Sequence, residues 1–219
     1  MEMSAVPVAT VSDRRSMAKN PSAVADRRYN LMAFTLLELL VVIVIITVLM
    51  GLAFPVFQGV LNQAKRTQAK SDLMQIVIAV NAYSAEYGRY PHTPTAPGDT
   101  TYGAATTNDQ LFNELRAVAA TENARGIVFL SPPDAKDVSN PRAGISLAPA
   151  TAGQYFDPWG KPYKMAIDGN YDNQIANPYT PDTGAGPNPL RQGVIAWSFG
   201  NDKNQGTDFK PSDDVISWQ

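Results

Sequence analysis

Apolar positions along this chain change their spacing twice, and each change marks an element. Leu39 to Phe57 is a run of nineteen residues in which only Thr47, Gly51 and Pro55 are not apolar. At about 1.5 Å per residue, such a run crosses a hydrocarbon core of roughly 30 Å as a helix. Beyond it, Phe57, Leu61, Ala64, Leu73, Ile76, Val77, Val80, Tyr83 and Tyr87 recur at helical spacing, with Lys65, Arg66, Lys70, Asp72 and Glu86 between them. That pattern predicts an amphipathic continuation of the same helix. One helix is therefore expected from about Phe34 to Tyr87, with Gly51, Pro55 and Gly59 as its weak points. Pro55 removes a backbone donor and clashes with the preceding turn, so a kink or a locally melted stretch is expected near Leu52 to Gly59. Gly88 suits the end of the helix, and Pro91 forbids its continuation.

After the helix the pattern becomes irregular and then turns to period two. His92 to Thr107 is rich in Pro, Thr, Gly and Ala and reads as a loop. Thr107-Asn108-Asp109-Gln110 resembles a capping box opening a short helix from Asn108 to about Ala120, with Leu111, Leu115 and Val118 inward. Ile127 to Leu130 is a brief apolar run, a strand or a buried turn, and 131–150 is an irregular excursion. Asp157-Pro158-Trp159-Gly160 is a turn. Tyr163, Met165 and Ile167 alternate with Lys164 and Ala166 as a half-exposed strand, Asp168-Gly169-Asn170 reads as a hairpin turn, and Tyr171 to Ile175 as its return. Val194 to Phe199 is a further strand, followed by a polar loop over 200–213. The expected class is α+β: a long N-terminal helix packed on a small C-terminal antiparallel sheet.

Charge orients the chain. Arg14, Arg15, Lys19, Arg27 and Arg28 outnumber Glu2, Asp13 and Asp26 ahead of the apolar run, which keeps that end cytoplasmic and sends the remainder across the membrane. A cleavable secretory signal is the rival reading, because Gly51-Leu52-Ala53 resembles a small-x-small cleavage site. The acid at the entry, Glu38, and the long polar preface speak against it. Glu38 is costly in lipid and needs a partner or an interfacial position; the first helical turn, where the dipole favours negative charge, is the plain alternative.

Several chemistries are excluded or disfavoured. The chain has no cysteine and one histidine, His92, which removes disulfides and leaves almost nothing for zinc. His92 reads as a solvated loop residue. No phosphate-cradling loop or nucleophile elbow is present, so an enzyme is not expected. Residues 34–219 carry 13 basic and 17 acidic side chains, which makes nucleic acid a poor partner.

Ala33-Phe34-Thr35-Leu36-Leu37-Glu38-Leu39-Leu40-Val41-Val42-Ile43 resembles the cleavage and methylation motif of type IV prepilins and type II secretion pseudopilins. The resemblance implies cleavage between Ala33 and Phe34 by a prepilin peptidase, methylation of the new amine, and a role for Glu38 in selecting register by pairing with the Phe34 amine of a neighbouring subunit. It implies a leader over 1–33, or a shorter one from Met17, a membrane and assembly half over 34–57 that includes Pro55, an amphipathic half over 58–90, and a periplasmic domain over 91–219 with an insertion at about 92–154. Ala33 departs from the glycine usual in that family.

Three further segments resemble the major pseudopilin: Asp157-Pro158-Trp159-Gly160-Lys161-Pro162-Tyr163, Ser198-Phe199-Gly200-Asn201-Asp202 and Asp213-Asp214-Val215-Ile216-Ser217-Trp218. They imply one calcium ion held by Asp202 and Asp214 with the Phe199 carbonyl, Asp213 and Asp208 being nearby substitutes. Carboxylate and carbonyl oxygens are the ligands calcium takes. The expected function is that of a structural subunit held in the inner membrane and assembled, with other pseudopilins and the secretion platform, into a homo-oligomeric helical filament that supports protein export. A type IV pilus subunit is the alternative.

Overall fold

The structure, a computed structural model, describes residues 35–92, 98–118 and 121–219, with the side chains of 53–56 left out. Its elements are helix α1 (Leu36–Tyr87), strand β1 (Thr100–Tyr102), helix α2 (Asp109–Leu115), and strands β2 (Gly144–Ile145), β3 (Tyr155–Phe156), β4 (Lys164–Ile167), β5 (Val194–Ser198) and β6 (Val215–Ile216). The chain divides into two units at Val48 and Leu49, within α1.

In the first unit, the large apolar side chains of α1 from Leu36 to Val48 are exposed. Among the described residues, α1 is the one helix long and apolar enough to cross a membrane. Thr47 turns its hydroxyl back to the Ile43 carbonyl at 2.6 Å, so its polar group needs no water.

In the second unit, α1 buries Ala69, Leu73, Ile76, Val80 and Tyr83, a stripe whose steps of three and four keep it on one face. These residues share one core with Leu111, Phe112 and Leu115 of α2 and with Tyr155, Tyr163, Met165 and Ile167. The expected stripe began at Phe57; Phe57 and Leu61 are instead exposed, and burial starts at Ala69. The helix assignment passes through Pro55 without interruption, so no melted stretch separates the two halves.

β1, β4, β5 and β6 form an antiparallel sheet in the order β1-β4-β5-β6, while β2 and β3 form a separate antiparallel pair. The α+β class and pilin-like architecture therefore hold. Several local expectations do not. β4 is not half exposed: Met165 and Ile167 join the helix-facing core, and Ala166 joins a second cluster on the other face with Ile195, Trp197, Ile216 and Tyr179. Both faces are covered, so a two-residue alternation does not report exposure here.

Asp168 to Asn170 does not close a hairpin. β4 pairs with β5 in the register Lys164 with Trp197 to Ile167 with Val194, and the predicted return is reduced to a bridge between Ile175 and Leu190. Ile127 to Leu130 forms no strand; the Phe129 and Leu130 amides instead donate to the Leu115 carbonyl. Helix α2 stops at Leu115, because Ala117 takes a positive φ of 55°, and Val118 is exposed. Asn108 caps α2 without a side-chain cap bond. Its amide is spent on the core, donating to the Tyr155 and Tyr163 carbonyls and accepting from the Tyr155 amide.

Candidate functional site: the helix entry and an acidic loop

At the helix entry, Thr35 and Glu38 bind one another reciprocally. The Glu38 amide donates to Thr35 Oγ1 at 3.2 Å, and the Thr35 amide and hydroxyl both donate to Glu38 Oε2 at 2.9 Å. This is a capping box, Thr-x-x-Glu, and it satisfies two orphan donors of the first turn while setting a carboxylate at the positive end of the helix dipole. Glu38 thus has a use within its own chain, and its side chain is exposed along with its apolar neighbours. Ala33 and Phe34, the expected processing residues, lie outside the described residues. So does the side chain of Pro55.

The second candidate sits in the loop between β5 and β6. Asp202, Asp213 and Asp214 bring one carboxylate oxygen each within 4.8 Å of one another. They are the one such convergence of acids among the described residues. Two oxygens bound to one calcium at 2.3–2.6 Å are separated by at most about 5 Å, so the spacing suits a shared ion. Asp208 is not in this group.

The loop's own bonds aim these acids. Asp213 Oδ2 accepts from the Asn201 and Asp202 amides at 2.5 and 3.2 Å, Asp202 Oδ1 from the Asn204 amide at 2.8 Å, and Asp214 Oδ2 from the Gly206 amide at 2.9 Å. Gly200 makes the fold-back possible. Its φ is +69°, and a Cβ there would stand 2.4 Å from the Asp213 carbonyl oxygen, a contact no other residue type could accept.

Asp214 is the strained member. It is 1% exposed, and its Oδ1 is buried without a hydrogen-bond partner. Burial holds its carboxyl above the ordinary range; the Gly206 amide and the nearby Tyr179 hydroxyl offset part of this, while the charges of Asp213 and Asp202 add to it. An all-oxygen set of like charges, one of them buried and short of a donor, fits a hard divalent cation. The Phe199 ring packs against the β5–β6 cluster and lies 5.2 Å from Lys164 Nζ.

The motifs flanking this loop are joined by a buried acid. Asp157 Oδ1 accepts from the Trp159 and Lys161 amides at 2.9 Å each, and Asp157 Oδ2 accepts from the Ser198 hydroxyl at 2.6 Å. Ser198 Oγ in turn accepts from the Gly200 amide at 3.3 Å. The 157–160 turn thereby fixes the end of β5, from which the acidic loop departs.

His92 is not solvated. Its Nε2 lies 3.4 Å from Glu114 and its Nδ1 3.7 Å from Glu122, and Glu114, buried, accepts from the Thr121, Glu122 and Asn123 amides. These contacts, with the Thr121 hydroxyl also donating to Glu114 at 2.7 Å, tie the helix exit to the segment after α2.

A membrane-capable helix whose continuation is the spine of a small antiparallel-sheet domain is a pilin-like α+β architecture. Within that class, the chain is similar to curated proteins named type II secretion system core protein G. That of Aeromonas hydrophila is 26% identical over 185 residues, 84% of this chain and 90% of the relative; that of Dickeya chrysanthemi is 27% identical over 170 residues, 77% and 87%. That of Pectobacterium carotovorum subsp. carotovorum is 42% identical over 65 residues, 30% of this chain and 42% of the relative, so there the chain spans less than half of its relative's length. No family model matches the chain, and no solved structure does.

Proposed function

We propose that this chain is a pseudopilin, a non-enzymatic structural subunit of a type II secretion pseudopilus that supports protein export. The observation that carries the reading is the similarity to type II secretion core protein G over 84% of the chain, together with an apolar α1 whose large side chains from Leu36 to Val48 are exposed among the described residues. In a membrane, those side chains face lipid; in a filament, they face other subunits. Prepilin peptidase removes residues 1–33 between Ala33 and Phe34, and the new amine is methylated. The N-terminus is cytoplasmic, and the folded domain lies in the periplasm. Other pseudopilins and the inner-membrane platform are its partners.

Glu38 supplies the register. Its capping box orients the carboxylate without neutralising it, since both Thr35 groups are uncharged donors. A cationic Phe34 amine from an adjacent subunit would neutralise it at low dielectric, where an isolated charge is costly. Asp202, Asp213 and Asp214, with the Phe199 carbonyl, hold one calcium ion that lets three carboxylates share the loop. The test is a deletion strain complemented with the full chain: export returns and mass spectrometry finds Phe34 as a methylated first residue. Restored export with the leader uncut, or no restoration by a correctly processed protein, overturns the reading.

A further inference from the structure

We propose a second calcium site, independent of the acidic loop and of the export reading, in the segment 168–174 that follows β4, with Asp99 as its contribution from the start of β1. The segment reads Asp168-Gly169-Asn170-Tyr171-Asp172-Asn173-Gln174. It presents side-chain oxygens at its first, third and fifth places, with the backbone carbonyl of Gln174 at the seventh. That is the spacing with which oxygen-rich loops wrap calcium, the sixth place requiring a sharp turn usually made by glycine. Here Asn173 makes that turn, with φ at +60°, and Tyr171 also takes a positive φ of 61°.

The observation that calls for a ligand is Asp168. It is 2% exposed, and no Lys or Arg pairs with it among the described residues. Its Oδ2 reaches across the loop to accept from the Asn173 amide at 2.6 Å, which directs the carboxylate into the ring formed by 168–173. Its Oδ1 is then buried with no donor at all. A buried carboxylate oxygen left unpaired costs a full desolvation penalty, and a cation in the ring removes it.

The rest of the ring is set for the same ion. The Asp172 amide donates to Asn170 Oδ1 at 3.1 Å, and the Gln174 amide to Asp172 Oδ1 at 2.9 Å, which leaves second lone pairs on both oxygens. Tyr171 is turned outward. Its ring stacks on Tyr90 at 5.5 Å, and its hydroxyl accepts from the Tyr90 amide.

Asp99 comes from a separate segment. A Cβ on Gly169 would stand 2.2 Å from the Gly98 carbonyl, so the segment that carries Asp99, immediately ahead of β1, lies directly on the loop. The donor set is mixed, carboxylate, amide and carbonyl, unlike the three converging acids at 202–214. Its consequence is mechanical: an ion here clips the edge strand β1 to the exit of β4.

The experiment is calcium titration of the purified full chain in detergent micelles by calorimetry, with terbium luminescence sensitised by Tyr171 as a second readout. Asp172→Asn is the variant, because Asp172 is exposed and the amide preserves its shape. Circular dichroism confirms that the fold is kept. The expected result is the loss of one calcium equivalent, or weakening of one site on the order of tenfold or more, with the terbium signal falling in parallel. Asp202→Ala removes a different equivalent, so failure of the acidic loop to bind would leave one site in the native chain and that site weakened or lost in Asp172→Asn. Stoichiometry and affinity unchanged by Asp172→Asn overturn the second site, whatever Asp202→Ala does.

Discussion

Replacing Asp157 separates the value of its hydrogen bonds from the cost of its charge. The carboxylate accepts three bonds, from the Trp159 and Lys161 amides and the Ser198 hydroxyl, at 2.6 to 2.9 Å. Burial nonetheless holds its carboxyl above the ordinary range, because desolvation outweighs those donors. Asp157→Ala strips all three bonds and leaves the donors facing a small void. At about 1 kcal/mol net per bond, the loss is about 3 kcal/mol. Asp157→Asn keeps an acceptor for the two amides, turns its Nδ2 toward Ser198 Oγ, and removes the buried charge, so its cost is within about 1 kcal/mol at neutral pH. Ser198→Ala removes one bond and costs about 1 kcal/mol. Chemical denaturation of the full chain in micelles, followed by tryptophan fluorescence, reads all three, since Trp159 is buried beside the site. If Asn were as damaging as Ala, the charge itself would be stabilising, and the balance drawn from burial would be wrong.

Leu73→Ala, in the fully buried stripe of α1, should destabilise the folded domain by about 2–5 kcal/mol, read by the same denaturation. Asp214 provides a pH signature: burial holds its folded carboxyl above the ordinary carboxylate range, so the native state holds its proton more tightly than the unfolded chain does. Its contribution is therefore favourable at low pH and is lost as pH rises from about 4 through the folded value. Thermal melts in chelator should show that loss, and saturating calcium should suppress it; identical profiles with and without calcium would remove the ion from the acidic loop.

The parts of this fold that can be read from the chain are those set by one dominant force. The apolar run of α1 and the stripe through Leu73, Ile76, Val80 and Tyr83 follow from hydrophobic spacing, and β5 is found within a residue of its expected end. Pairing partners are not legible in this way. Nothing local says that Tyr163 will place its hydroxyl 2.8 Å from Asp72 across 91 positions, or that Asn108 will leave its cap to hold two tyrosine carbonyls. The apparent hairpin at Asp168 fails for a different reason: residues that favour positive φ serve turns and ion-binding loops alike. Alternate oxygens at 168, 170 and 172 were the available signal for the latter. Thr35 and Glu38, three apart ahead of an apolar run, are likewise a capping box legible in the sequence. Of the acids placed in the β5–β6 loop, Asp202, Asp213 and Asp214 converge because Gly200 permits a backbone approach that a linear reading cannot show.

Glu38→Gln isolates the claim on which the function rests. Glutamine can still accept from Thr35 and close the capping box, so α1 keeps its start while the charge is gone; cross-linking and electron microscopy of pseudopili from cells expressing the full chain measure what remains. The account predicts a processed, membrane-inserted subunit that no longer assembles and no longer supports export. Filaments of normal abundance and register built from Glu38→Gln would contradict it.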